Sequence, residues 1–204
     1  CSCSISYYAL TAINSIAIFG GSFDPLHNGH LHLVSSLSST QRFSKIVIVP
    51  AGDPWQKKPI ATAHDRFEMT VRSMKSANVE VSDCEVKRDG PSYAIDTVRE
   101  IARNNPGASL TWIIGTDAFA TVETWKDFDN LISLVEFLVI VRPGNKVDES
   151  KVNLKIKWSS IEIGALNISS TQVRAAIQQG QDFSLLVPAS VAEYIKEKGL
   201  YGAA

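Results

Sequence analysis

The chain has little of several things that would each have set its character. Only three cysteines, Cys1, Cys3 and Cys84, stand in 204 residues, and no two form a C-x-x-C pair. So sparse and odd a count argues against a disulfide framework and fits a reducing compartment, so a cytoplasmic location is expected. An excess of one charge is also missing: 20 Lys and Arg meet 21 Asp and Glu, giving a net charge of -1. No general basic field is left to hold a polynucleotide, so nucleic acid is not an expected partner. An anionic ligand has to be held by local groups instead. No apolar run approaches the length of a bilayer span, and no membrane partner is expected. Internal repeats, low-complexity tracts and linker-like stretches are lacking too, so residues 1–204 are expected to form one domain. The opening CSCSISYYALTAI lacks a basic start and a clear cleavage signal. Residues 1–14 are therefore expected to be an N-terminal extension rather than a signal peptide. Nothing in the sequence bears on the oligomeric state.

What is present alternates in a regular way. Ser15–Gly20, Lys45–Pro50, Leu110–Gly115 and Phe137–Val141 are short apolar runs, which read as strands buried on both faces. Val79–Val86 and Ile161–Ile163 read as further strands. Between them lie helical stretches over Gly29–Ser39, over Thr62–Ser76 with Thr62 and Asp65 in capping-box positions, and from a Ser92 cap to about Arg103. Further helices are expected from Thr124, with Asp127 in the capping position, from Ser169 to about Gln179, and from Pro188 onward. The segments 51–60 and 142–159 read as loops. This order predicts an α/β fold, a Rossmann-like doubly wound parallel sheet with helices on both faces. Ligands of such a sheet bind beyond the carboxyl ends of its strands.

The loop after the first strand reads Gly20-Gly21-Ser22-Phe23-Asp24-Pro25-Leu26-His27-Asn28-Gly29-His30. Paired glycines let a phosphate approach the backbone, because no Cβ stands in the way. The spacing is neither G-x-G-x-x-G nor a P-loop. A helix starting near Asn28 puts His27 and His30 on one face at its N-terminus, where free N–H groups and the dipole favour anions. Two imidazoles there can donate to phosphate oxygens, more strongly if protonated. Two other readings stand beside this one. The histidines could be incidental to the helix entry, or they could belong to a metal site. The metal reading is the weaker, since His32 points well away from both at about 100° per residue. No protein ligands to a metal are assigned. A second anion-binding element is Ile168-Ser169-Ser170-Thr171-Gln172-Val173-Arg174. Ser169 and Gln172 form a capping box there, and Arg174 lies one turn in, on the face of Ser170. A cation at that end opposes the helix dipole, a placement that makes sense if an anion sits between.

These two segments resemble the G-G-S-F-D-P-x-H-x-G-H and I-S-S-T-x-[IV]-R motifs of the adenylyl- and cytidylyltransferase superfamily, and in particular of bacterial nicotinate-nucleotide adenylyltransferases. The resemblance runs in order from about Ser15 to Tyr201. It implies that His27, His30 and Arg174 act on the ATP phosphates. It also implies that Gly20, Gly21, Ser22, Phe23, Ile168, Ser169, Ser170 and Thr171 line that site. Pro50-Ala51-Gly52-Asp53-Pro54-Trp55-Gln56-Lys57 is similar to the family's loop after the second strand, whose lysine, here Lys57, approaches substrate phosphate. Ser92, Tyr93, Ala94 and Thr97 stand in a stretch similar to G-P-S-Y-T-x-x-T, and Gly115 and Asp117 in one similar to I-G-x-D, whose Asp holds ribose hydroxyls. Trp125 and Lys126 occupy the T-W-Y position, where the Trp stacks on a pyridine ring, and Arg142 opens an R-P-G turn. Ala94 and Lys126 depart from the common Thr and Tyr, but the family recognises the nicotinate carboxylate there through backbone N–H groups. The implied reaction joins the adenylyl group of ATP, carried with Mg²⁺, to nicotinic acid mononucleotide, a step of NAD biosynthesis. Alternatives are an enzyme that accepts or prefers the amidated mononucleotide, a pantetheine-phosphate adenylyltransferase or cytidylyltransferase, and a nucleotide-binding sensor without turnover.

Overall fold

The computed structural model describes residues 14–56, 58–164 and 166–203. Most of the expected N-terminal extension, residues 1–13, and Lys57 lie outside the described residues. Among the described residues six strands make one sheet: β1 (Ser15–Gly21), β2 (Lys45–Pro50), β3 (Val79–Val81), β4 (Ser109–Gly115), β5 (Glu136–Val141) and β6 (Trp158–Glu162). Their order is β3-β2-β1-β4-β5-β6, and each neighbouring pair is parallel. The helices are α1 (Asn28–Ser39), α2 (Ala63–Ser73), α3 (Ala94–Asn104), α4 (Thr116–Phe119), α5 (Phe128–Leu134), α6 (Ser170–Gln178) and α7 (Ala189–Glu197). None of the described helices is long and apolar enough to cross a membrane.

The apolar runs are continuous because successive side chains enter two different cores. Ala17, Ile46, Ile48, Ile113 and Leu138 face one core with Val34, Leu37, Met69, Val173, Ile177 and Val191 of α1, α2, α6 and α7. Their neighbours Ile16, Ile18, Val47, Val49, Trp112, Ile114, Phe137 and Val139 face the other, with Ile95, Val98 and Ile101 of α3 and Leu131 of α5. The doubly wound α/β reading therefore holds, and strand order reverses between β1 and β4. The carboxyl ends of these two strands form the switch point at which such sheets take ligands.

Several boundaries differ from expectation for local reasons. β3 stops at Val81, because Ser82 turns the chain: its backbone N–H still reaches Ile48 O, and its hydroxyl then accepts Cys84 N–H. Thr124 does not begin a helix. It ends a short 3₁₀ turn over Val122–Thr124, and its hydroxyl donates back to Thr121 O. The helix begins only at Phe128, after Asp127, whose left-handed backbone is held by Arg99 and Asn130 bonds to its carboxylate. Ser92 does not cap α3 either. Tyr93 is the N-cap residue, and Ser92 Oγ instead accepts the N–H groups of Gly52 at 2.9 Å and Asp53 at 3.2 Å. Thr62 and Ser169 do cap α2 and α6, with Gln172 closing the box on Ser169. The last strand, β6, is longer than Ile161–Ile163 and runs through the polar Trp158–Glu162 at the sheet edge.

One side chain fixes the loops above β1 and β2. Arg66 of α2 is 1% exposed, and its guanidinium donates to three backbone carbonyls. Nη1 reaches Ser22 O at 2.8 Å, Nη2 reaches Gly52 O at 2.9 Å, and Nε reaches Ala61 O at 3.2 Å. Three loops from distant parts of the sequence thus share one rigid, planar donor. Replacing Arg66 by Leu leaves three enclosed carbonyls without partners, so the free energy of unfolding should fall by roughly 3 kcal/mol or more. Urea titration of both proteins measures this. An unchanged midpoint would mean that the three loops are not clamped by this residue.

Candidate active site

Two clefts open side by side at the carboxyl ends of β1 and β4, and Gly21 and Ser22 line both. The first is polar. Phe23, Asp24, His27 and His30 come to it from the β1–α1 loop and the start of α1, and Ile168, Ser169, Ser170, Thr171 and Arg174 from the start of α6. The two segments picked out in the sequence therefore face each other across one space. They are bonded directly as well: Ser170 Oγ donates to Pro25 O at 3.0 Å, and Arg174 Nη1 to Asp24 O at 2.7 Å.

The two histidines stack on each other, and burial keeps the first of them uncharged. His27 is the N-cap residue of α1, and its ring stacks on that of His30 with centroids 3.6 Å apart. Burial pushes the His27 imidazole down from 6.5 to about 4, so at neutral pH it carries no charge. Its Nδ1 is enclosed and has no hydrogen-bond partner among the described residues, which leaves Nε2 as the nitrogen it can offer the cleft. His30 Nδ1 accepts the backbone N–H of His27 at 3.2 Å, so the proton of its imidazole sits on Nε2. Gly29 makes this stacking possible, since a Cβ there would stand 3.0 Å from His27 Nδ1. Among the residues lining this cleft the one carboxylate is Asp24, and backbone donors of Ile60 and Ala61 already bind its oxygens. No cluster of three or more metal-ligating side chains occurs among the described residues. A divalent ion here would therefore be held by phosphate oxygens and water rather than by a protein cage.

The second cleft is aromatic. Gly20, Trp55, Tyr93, Trp112 and Trp125 line it, together with Ser92, Ala94, Gly115 and Lys126. Gly20 is required by close approach, because a Cβ there would lie 2.9 Å from the Trp112 ring. Trp112 and Trp125 meet edge to face at 6.0 Å, and Trp125 Nε1 is buried without a partner among the described residues. Ala94 is the first residue of α3, so that helix directs its free N-terminal N–H groups toward this cleft. Lys126 is less available than its sequence position implies. Its ammonium lies 3.3 Å from Asp96 Oδ2 and 4.2 Å from the centre of the Tyr93 ring.

Three of the expected residues stand apart from both clefts. Thr97 is fully buried and donates to Glu85 Oε1 at 2.5 Å, so it supports the wall instead of lining it. Asp117 sits on the first turn of α4, and Arg142 is exposed at the end of β5 with its carbonyl in a turn to Asn145. Sequence reading missed Lys58, which lines the polar cleft, and Glu85, which lines the aromatic one. The Lys57-Lys58 pair was the visible signal for the former. Burial pushes the Glu85 carboxyl above its ordinary range, against the hydrogen bond from Thr97.

The family model for cytidylyltransferase-like proteins matches residues 18–176. The probable nicotinate-nucleotide adenylyltransferase of Streptomyces coelicolor is 39% identical over 185 residues, which cover 89% of this chain and 98% of that one. Its counterpart in Acidothermus cellulolyticus is 38% identical over 194 residues, or 91% and 93% of the two chains. Among solved structures, Plasmodium falciparum nicotinic acid mononucleotide adenylyltransferase complexed with NaAD has a similar fold. Its TM-score is 0.79 and its identity 22%, over 94% of this chain and 98% of that one.

The state of His27 has a measurable consequence. A histidine depressed in the folded protein binds fewer protons there than in the unfolded chain, so stability is complete above its unfolded value of 6.5 and falls as pH drops toward about 4. Wild type should lose about 2 kcal/mol between roughly pH 7 and pH 5 relative to a His27→Asn variant. Reading the difference between the two proteins cancels Glu85, whose raised carboxyl acts in the opposite sense. Parallel stability curves for the two proteins would refute the assignment of a neutral, buried imidazole.

Proposed function

The chain belongs to the cytidylyltransferase-like family, and within it to the nicotinate-nucleotide adenylyltransferases, and from that premise we propose that it transfers the adenylyl group of ATP to nicotinic acid mononucleotide. The products are nicotinic acid adenine dinucleotide and pyrophosphate, in NAD biosynthesis. The observation that carries this reading is the pair of clefts meeting at Gly21 and Ser22, one suited to phosphates and one to a flat ring. An oxygen of the mononucleotide phosphate attacks the α-phosphorus, the bond to the bridging oxygen breaks, and pyrophosphate leaves. No nucleophilic side chain is needed, because the attacking oxygen is already anionic. Catalysis is then positioning and charge stabilisation.

The roles we propose follow from placement for the residues that line the clefts, and from the family resemblance for Lys57, Asp117 and Arg142. Nε2–H groups of His27 and His30 donate to phosphate oxygens, and Arg174 supplies charge. Ser169, Ser170, Thr171 and the start of α6 form the anion-binding end, with Gly20–Phe23 and Ile168 as walls. Lys58 adds a second cation, and Lys57 beside it serves the attacking phosphate. Trp125 stacks on the pyridine ring, while Ala94, next to Tyr93, and Lys126 meet its carboxylate through two backbone N–H groups, with Ser92 and Thr97 holding that wall. Gly115 and Asp117 serve the adenosine ribose, and Arg142 borders that end. Nucleotidyltransferases of this kind generally use a divalent metal with ATP, and we assign Mg²⁺, entering as part of the nucleotide substrate. The sparse cysteines support a cytoplasmic site of action.

Release of pyrophosphate on mixing the protein with MgATP and nicotinic acid mononucleotide tests the reading, and silence would leave a binding protein without turnover. In the same assay the acid should be favoured over the amide by about ten- to a hundredfold in kcat/KM, because a carboxamide presents its NH₂ to one of two backbone donors. Lys126→Ala should narrow that ratio only slightly, since Asp96 already pairs with the ammonium. Equal use of both mononucleotides would place the protein in the amide-using branch. A separate variant addresses the chemistry: His30→Ala should lower kcat by on the order of 10²–10³ with a smaller change in KM. Near-normal turnover would make this histidine structural.

A further inference from the structure

Asp24 and Arg174 stand next to each other without forming the bidentate pair that a guanidinium and a carboxylate ordinarily make. Arg174 Nη1 is 2.7 Å from the backbone oxygen of Asp24 but 3.8 Å from its carboxylate Oδ2. The carboxylate is turned to other donors. Oδ2 accepts Ile60 N–H at 2.9 Å, and Oδ1 accepts Ala61 N–H at 3.0 Å together with the hydroxyl of Tyr201 at 2.8 Å. Of these three donors only the hydroxyl belongs to a side chain, and it comes from 177 residues away, at the other end of the chain.

The backbone at Tyr201 is itself unusual. It is left-handed, with φ 61°, a conformation that residues bearing a Cβ avoid. It is held in a 3₁₀ turn over Leu200–Gly202, the ring is 8% exposed, and it packs in the core with α6 and α7. Burial, followed by the nearby Asp24 charge, pushes the phenol well above its ordinary range, so the hydroxyl keeps its proton and remains a donor. A strained residue aimed at one carboxylate is a candidate for function through that carboxylate.

We propose that Tyr201 is a positioning residue that keeps the Asp24 carboxylate from closing its 3.8 Å ion pair with Arg174 into a direct hydrogen-bonded one, and so leaves the guanidinium less neutralised and available to the phosphates of the nucleotide. The inference rests on the polar cleft being the phosphate site. Without the hydroxyl, Oδ1 keeps a single donor, and the carboxylate is drawn to the guanidinium 3.8 Å away. The tighter pair neutralises more of the charge that the leaving pyrophosphate needs. Tyr201 lines neither cleft.

Tyr201→Phe keeps the ring and removes only the hydroxyl. Calorimetric titration with inorganic pyrophosphate should show Kd raised about fivefold, and KM for ATP should rise in step, while KM for the mononucleotide stays unchanged. The discriminating measurement is the same substitution in an Arg174→Ala background, where it should change pyrophosphate binding less than about twofold. A Kd unaltered by Tyr201→Phe would overturn the proposal. So would an equal loss with and without Arg174, which would make the tyrosine a general support of the loop. Failure of the wild-type protein to bind pyrophosphate would instead remove the phosphate-site reading itself.

Discussion

The guanidinium of Arg66 is the contact on which the site geometry depends. It is buried, and it spends its donors on the carbonyls of Ser22, Gly52 and Ala61. Those residues belong to the loops after β1 and β2 and to the entry of α2, so one planar group sets the distance between the β1–α1 loop and the wall of the aromatic cleft. Gly52 shows how closely the parts are drawn together, since a Cβ at that position would lie 2.1 Å from Glu85 O. Burying a lone cation is costly, and desolvation lowers the Arg66 pKa, but the neighbouring Asp24 and Glu85 charges oppose that shift. A lysine could not replace it, because an ammonium lacks the fixed fork needed to reach three carbonyls in different directions.

Around this clamp the cleft separates donors from charges. His27 and His30 stack too closely for two cations to sit comfortably, and burial keeps His27 neutral. Positive charge is carried instead by Arg174 and Lys58, at the mouth of the same space. Donors in fixed positions give direction, and partly exposed cations give attraction. The division suits a reaction in which negative charge is rearranged on phosphate oxygens, because fixed dipoles need not reorganise as the charge moves.

How far the sequence revealed this depended on whether the cause was local. β1, β2, β4 and β5 were legible because strands buried on both faces show as unbroken apolar runs. β6 was mostly missed, because Trp158–Glu162 is a polar edge strand whose pairing comes from β5. The N-caps of α2 and α6 were legible, since their partners lie three residues away. The start of α5 was misread because Asp127 takes its partner, Arg99, from α3. The two segments that line the polar cleft could be matched in sequence, and their mutual placement follows from the parallel sheet. Arg66 and Tyr201 left no trace: each works through a partner 44 or 177 positions away, and alone they read as an ordinary helical arginine and a terminal aromatic.

The shared edge at Gly21 and Ser22 bears on how small molecules could be built against this protein. Fragments that bind weakly to the aromatic cleft and to the polar cleft would approach each other at a single point over that edge. Joining them converts the second contact into an intramolecular one, whose benefit is greatest when the tether just matches the gap and declines as it lengthens. A short bridge that just crosses the Gly21–Ser22 edge fits that condition, whereas a long flexible spacer loses it. Tether length, more than the strength of either half, is then the variable that decides potency.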